Sequence, residues 1–165
     1  MHALRDTHHT QTVVRHLKQT NELLKTKETK YENNWREKSL ENSEKDYWGE
    51  PDYDSHLVKT CHQLRKKPLK DFEIEDLRIM IGQNIGLKFL VPIAIEELKE
   101  NILTEGDYFE GDLLKSVLTS EVEFWSERFD LLDELDKLIQ QNLELLDQTD
   151  PEFTKEFKRL KSRVK

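Results

Sequence analysis

The sequence predicts an all-α protein, a compact bundle of about five to six helices carrying a polar N-terminal extension. Three observations lead there. No segment alternates apolar and polar residues for long enough to form a half-buried strand. Apolar residues recur instead at spacings of three, four and seven, and the prolines, glycines and capping residues fall between those runs. With 165 residues, 35% hydrophobic and 36% charged, the chain suits one domain with a thin core and a solvated portion. Residues 1–46 form that portion, weakly helical or disordered. In it Val13, Val14, Leu17, Leu23 and Leu24 make only a weak stripe, and from Lys25 to Asp46 the large apolar residues are Tyr31, Trp35 and Leu40. Residues 47–165 form the helical domain.

Within that domain Trp48-Gly49-Glu50-Pro51 supplies turn chemistry. Tyr53, Leu57, Val58 and Leu64 then place a helix over about 55–66, and Pro68 breaks the chain. Ile74, Leu77 and Ile81 define the next helix, with Glu73, Glu75 and Asp76 in its first turn, where carboxylates offset the free amide dipoles. Gly82 and Gly86 bracket its end, allowing a tight turn. Leu87, Phe89, Leu90, Val91, Ile93, Ala94, Ile95 and Leu98 are apolar nearly all round, the mark of a central core helix. Pro92 costs little in a first turn and about 3 kcal/mol in a helix interior, so this helix is expected to start near Phe89 or Leu90, or to kink.

Gly106 and Gly111 frame a loop before a short helix that turns Leu113, Leu114, Val117 and Leu118 inward. Ser120-Glu121-Val122-Glu123 reads as a capping box opening one long helix. Along it Phe124, Leu131, Leu138 and Leu145 run beside Trp125, Leu132, Ile139 and Leu146, a face too wide for a coiled-coil seam. Asp150-Pro151 starts a last helix with Phe153, Phe157 and Leu160 and a basic end.

Charge is unevenly placed. Residues 1–70 carry 14 Lys and Arg against 11 Asp and Glu, whereas 71–165 carry 12 against 23. Most of the excess lies from Glu96 to Asp136, with 14 acids and 3 bases. Such a field repels nucleic acid and attracts basic proteins, although an acidic block also serves simply as a solvated surface.

Catalytic and cofactor chemistry finds no footing. The five glycines form no phosphate loop or dinucleotide fingerprint. The single cysteine, Cys61, adjoins His62, but neighbours on a helix point about 100° apart and make no nucleophile and base pair. His56 is also off its face, and Cys61 reads as a small buried side chain. His2, His8, His9 and His16 lack the spacing of a metal site, and Glu50, Asp52 and Asp54 lack the glycine and distal glutamate of a calcium loop. The expectation is therefore no enzyme, no cofactor, no metal, no nucleic-acid partner and no membrane segment, in a protein of the reducing cytoplasm. Oligomeric state is left open, and a helical scaffold that self-assembles through the long C-terminal helix is the alternative to a binding protein.

From about Leu40 to Leu118 a series of strings occurs in order. They are Asp46-Tyr47-Trp48-Gly49-Glu50-Pro51, Leu57-Val58 with Cys61-His62, and Leu64-Arg65-Lys66-Lys67-Pro68-Leu69. Next come Glu75-Asp76-Leu77-Arg78, Ile81-Gly82-Gln83-Asn84-Ile85-Gly86-Leu87, and Leu90-Val91-Pro92 with Ala94 to Leu98. Glu105-Gly106-Asp107-Tyr108 and Gly111-Asp112-Leu113-Leu114 complete them. In this pattern the chain resembles the immunity proteins of bacterial contact-dependent growth inhibition. The resemblance implies a cytoplasmic protein that binds and blocks the C-terminal toxin domain delivered by a neighbouring cell, often a nuclease. The charge argument points the same way, since an acidic protein can cover a phosphate-gripping basic surface. The residues expected to contact the toxin are Glu96, Glu97, Glu100, Glu105, Asp107, Glu110 and Asp112, with Tyr108, Phe109 and Trp125 as aromatic anchors. Ordinary packing is the competing role for Tyr108 and Phe109, and Arg78 is expected to hold acids or carbonyls at a helix end.

Overall fold

The structure, a computed structural model, describes residues 31–164 apart from Tyr53. The N-terminal stripe from Val13 to Leu24 and the four histidines from His2 to His16 lie outside the described residues. Among the described residues there are nine α-helices and no strand, so the all-α expectation holds. They are α1 (Leu40–Glu44), α2 (His56–Lys66), α3 (Ile74–Gly82), α4 (Leu87–Glu100), α5 (Asp112–Leu118), α6 (Val122–Glu127), α7 (Phe129–Gln141), α8 (Leu143–Thr149) and α9 (Glu152–Arg163). Short 3-10 turns at Trp35–Glu37 and Leu69–Asp71 pack on each other.

The helix count exceeds the sequence expectation because α1 forms and because the predicted long helix is three. Helices α3, α4 and α5 pack together, α9 lies on α5 and α8, and α7 lies on α4. Helix α4 supplies eight buried side chains from Leu87 to Leu98 and is the centre of the core. It starts at Leu87 after Gly86, so Pro92 lies inside it and not in its first turn. The amide that Pro92 lacks would have bonded the Lys88 carbonyl. That carbonyl instead accepts the Tyr31 hydroxyl at 2.6 Å, and Tyr31 in turn accepts Arg128 Nη1 at 3.2 Å.

The segment 31–46 joins the core. Tyr31 stacks on Trp35 at 4.6 Å, both rings lie against Phe89, and Leu40 is fully buried. Gly86 has φ +66°, and a Cβ there would stand 2.7 Å from both Leu40 methyl carbons. Glycine is thus needed for both the left-handed backbone and the fit of Leu40.

The break between α6 and α7 falls at Arg128, which is buried. Its guanidinium forks onto Asp130 through Nε at 2.8 Å and Nη2 at 2.7 Å, and this pairing raises its pKa further. A second break lies at Asn142, whose side chain donates to the Leu138 carbonyl at 2.8 Å. The capping box expected at Ser120–Glu123 is absent. Ser120 Oγ donates to the Val117 carbonyl and accepts the Trp125 indole N–H at 2.9 Å, while the Glu121 amide is capped by Asn84 Oδ1 at 2.9 Å. Both apolar rows of the predicted long helix are used internally. Leu131, Leu132, Leu138, Ile139 and Leu146 are buried, while Phe129, Leu143 and Leu145 stay exposed. Asp150 does cap α9, accepting the Glu152 amide at 2.9 Å.

Candidate functional site

The loop between α4 and α5 is the most elaborately held surface feature of the region singled out by charge. Asp112, the first residue of α5, is only 3% exposed. Its two carboxylate oxygens accept the Gly106 amide at 2.6 Å and the Tyr108 amide at 3.1 Å. Between them, the Asp107 amide donates to Glu75 Oε2 at 3.0 Å. Three successive loop amides are therefore fixed by carboxylates, and hydrogen bonds to a charged acceptor are the strong kind. One guanidinium balances both acids. Arg78 donates to Glu75 through Nε at 2.6 Å and Nη2 at 2.7 Å, and its Nε lies 3.8 Å from Asp112 Oδ2.

Glu75 and Arg78 are three residues apart on α3, hence on one helix face. The guanidinium holds the Glu75 carboxyl below its ordinary range, an effect that partial burial opposes and the Asp107 amide reinforces. Glu75 in turn raises the pKa of Arg78. Gly106 is closely approached: a Cβ there would meet Glu75 Oε2 at 2.6 Å and Asp112 Oδ2 at 3.1 Å, so those side-chain ends would have to shift. The far end closes through the Gly111 amide on the Leu103 carbonyl and the Asp112 amide on the Phe109 carbonyl, both at 3.0 Å.

The product of this scaffold is a pair of outward aromatic rings. Tyr108 is 72% exposed with Arg78 Cζ 4.4 Å from its ring centre, and Phe109 is 50% exposed. Glu105, Asp107 and Glu110 surround them and are exposed. Upstream, Glu96, Glu97 and Glu100 lie on the exposed face of the last turns of α4. Glu96 is engaged by Arg36 Nη2 at 2.6 and 2.7 Å, whereas Glu97, Glu100, Glu105, Asp107 and Glu110 have no ion pair among the described residues. Acids at a helix C-terminus oppose the helix dipole, and Glu96 and Glu100 repel at i, i+4. The stable choice for an idle surface is the one α9 makes, with Lys161 and Arg163 in its last turn.

The structure separates two residues from the expected contact set. Trp125 has no exposed surface and donates its indole N–H to Ser120, so it is a core residue. Asp112 points inward onto the loop amides and acts by holding the loop. Its aspartate at a helix start looks identical in sequence whether it binds a partner or its own backbone.

Sequence reasoning passed over a second held loop at 46–51. Arg65, 2% exposed on α2, donates to Glu44 at 2.6 Å and to the Asp46 carbonyl at 2.7 Å, and lies 4.2 Å from the Trp48 ring centre. Asp46, Trp48, His62 and Arg65 all fall within the strings that carry the family resemblance, and that is the sequence signal for this loop. Cys61 and His62 form no reactive pair: Cys61 is buried and its thiol pKa is raised by that burial, while His62 Nδ1 lies 3.1 Å from the Gly49 carbonyl. Among the described residues no three His, Cys, Asp or Glu side chains are placed to hold a metal ion, and no helix is long and apolar enough to cross a membrane.

No curated protein and no solved structure matches the chain. The family described as CDI immunity proteins, however, matches residues 42–135, more than half of the 165, and that span contains both held loops. On that match the chain belongs to the CDI immunity proteins and is a toxin-neutralising immunity protein whose partner is a cognate CDI toxin domain.

Proposed function

We propose that the chain neutralises its toxin in the cytoplasm, without catalysis, by laying the acidic, aromatic-tipped surface of residues 96–110 over a basic face of the toxin domain. The toxin this surface suits best is a nuclease, because an enzyme that grips phosphates presents Lys and Arg that an array of carboxylates can occupy in place of nucleic acid. The observation that carries the reading is the loop 105–111, rigidly held by Asp112, Glu75 and Arg78 while exposing Tyr108 and Phe109. Burying polar groups to immobilise an outward aromatic pair adds little to the core, but it removes the ordering cost of binding. Aromatic residues ringed by acids provide anchor and steering in one patch.

The test is co-expression of this chain with its cognate CDI toxin domain. The expected result is host survival and a one-to-one complex that weakens with salt. Replacing Glu97, Glu100 and Glu105 together by Lys should restore killing and lower affinity by about 10-fold or more. A charge-reversed protein that protects and binds as well as the original would exclude the acidic face.

A further inference from the structure

The loop 46–51 is built by a second, independent clamp. Besides its bonds to Glu44 and the Asp46 carbonyl, Arg65 donates to Asp46 Oδ2 at 3.3 Å. The same oxygen accepts the Trp48 indole N–H at 2.8 Å, and His62 packs edge-on against Trp48 with ring centres 5.2 Å apart. Arg65 Nε is buried and has no hydrogen-bond partner among the described residues. A buried guanidinium with an unmet donor is an expensive core residue, and an apolar side chain in its place is often as stable or more so. What the clamp secures is again an exposed aromatic: Tyr47 is 65% exposed, tethered by one long hydrogen bond from its hydroxyl to Asn42 Oδ1 at 3.3 Å. Around it, residues 44–54 carry Glu44, Asp46, Glu50, Asp52 and Asp54 against the single base Lys45.

The helices that carry the two clamp arginines, α2 and α3, pack on each other. Arg65 lies in the last turn of α2 and Glu75 in the first turn of α3, and between those helix ends Lys67 Nζ meets Asp76 Oδ2 at 2.6 Å. An interface of standard size, about 800 Å² and about 20 residues per partner, has room for the residues of both loops. We propose that Tyr47, on the clamped acidic loop 46–51, is a second anchor for the same toxin domain, so that the toxin is gripped at two aromatic points. This rests on the reading of 96–110 as a toxin-binding face; its occupant is the cognate toxin domain, chosen by the shared acidic and aromatic chemistry of the two loops.

Calorimetric titration of the purified toxin domain into the full chain tests it. Tyr47→Ala should weaken binding about 30-fold, and Tyr47→Phe much less, with circular dichroism and Tm unchanged because Tyr47 lies outside the core. Glu50→Lys, on the loop rim, should slow association. Phe109→Ala serves as the reference for the other loop. If Phe109→Ala weakens the complex while Tyr47→Ala and Glu50→Lys bind within about twofold of the original, the second anchor is overturned and the first reading stands. If Tyr47→Ala weakens the complex while Phe109→Ala and the 97/100/105 reversal do not, the reading of 96–110 fails alone. A change in the chain's own oligomeric state on Tyr47→Ala, with toxin affinity intact, would assign the loop to self-association and overturn the inference.

Discussion

Single atoms decide how α4 can run through Pro92. The proline frees the Lys88 carbonyl, and the Tyr31 hydroxyl occupies it. Tyr31→Phe, which removes this bond and the one from Arg128 Nη1, is therefore expected to lower stability by about 1–3 kcal/mol in urea unfolding. In a Pro92→Ala background, where residue 92 recovers its amide, the same change should cost clearly less. Equal costs in the two backgrounds would remove the compensation. Gly86→Ala should cost about 2 kcal/mol, combining the left-handed backbone penalty with displacement of Leu40, read as a shift of the unfolding midpoint. Gly106→Ala differs in kind. Its neighbours are ends of the Glu75 and Asp112 side chains, so global stability should change little while amide exchange at 106–108 accelerates.

At the scale of elements, the loop 105–111 has a pH dependence whose sign follows from Glu75. Its folded pKa lies below the ordinary glutamate value of about 4.3, so its contribution is fully present above that value and lost as pH falls through the folded pKa. Exchange protection of the Asp107 amide should be flat from pH 7 to about 5 and decline below about 4; Glu75→Gln should abolish that decline, and an unaltered profile would exclude the carboxylate as its origin. Much of the element order was legible in sequence because it is local. Ile74, Leu77 and Ile81 set α3 by their spacing, and Asp150 caps α9 as its position next to Pro151 suggests. The partition of residues 122–149 was not legible, since the heptad rows continue across both breaks without glycine or proline. Arg128 interrupts the helix through Asp130 and through Tyr31, 97 positions away, which no local pattern contains.

Across the whole molecule the unevenness of charge is the property with a kinetic consequence. With a net charge of −8 and the acids concentrated in 96–136, association with a basic toxin should be steered electrostatically. The association rate is expected to fall several-fold between about 0.02 and 0.5 M salt, while dissociation, governed by the aromatic contacts, changes less. Stopped-flow measurement separates the two; a salt-independent association rate would show that the acidic surface plays no part in encounter.

Taken alone, the sequence determined the all-α class, the central place of the helix from Leu87 to Leu98, and the resemblance carried by the strings from Asp46 to Leu114. Periodicity and local punctuation are properties of neighbours in the chain, and they survive without knowledge of what packs where. Only the tertiary structure decided that Asp112 and Trp125 face inward while Tyr108 and Phe109 face out. It alone brought Leu40 against Gly86, and set Arg65 beneath Trp48. An acid or an aromatic ring carries the same side chain in either setting, and whether it meets a partner or its own backbone depends on groups tens of residues away.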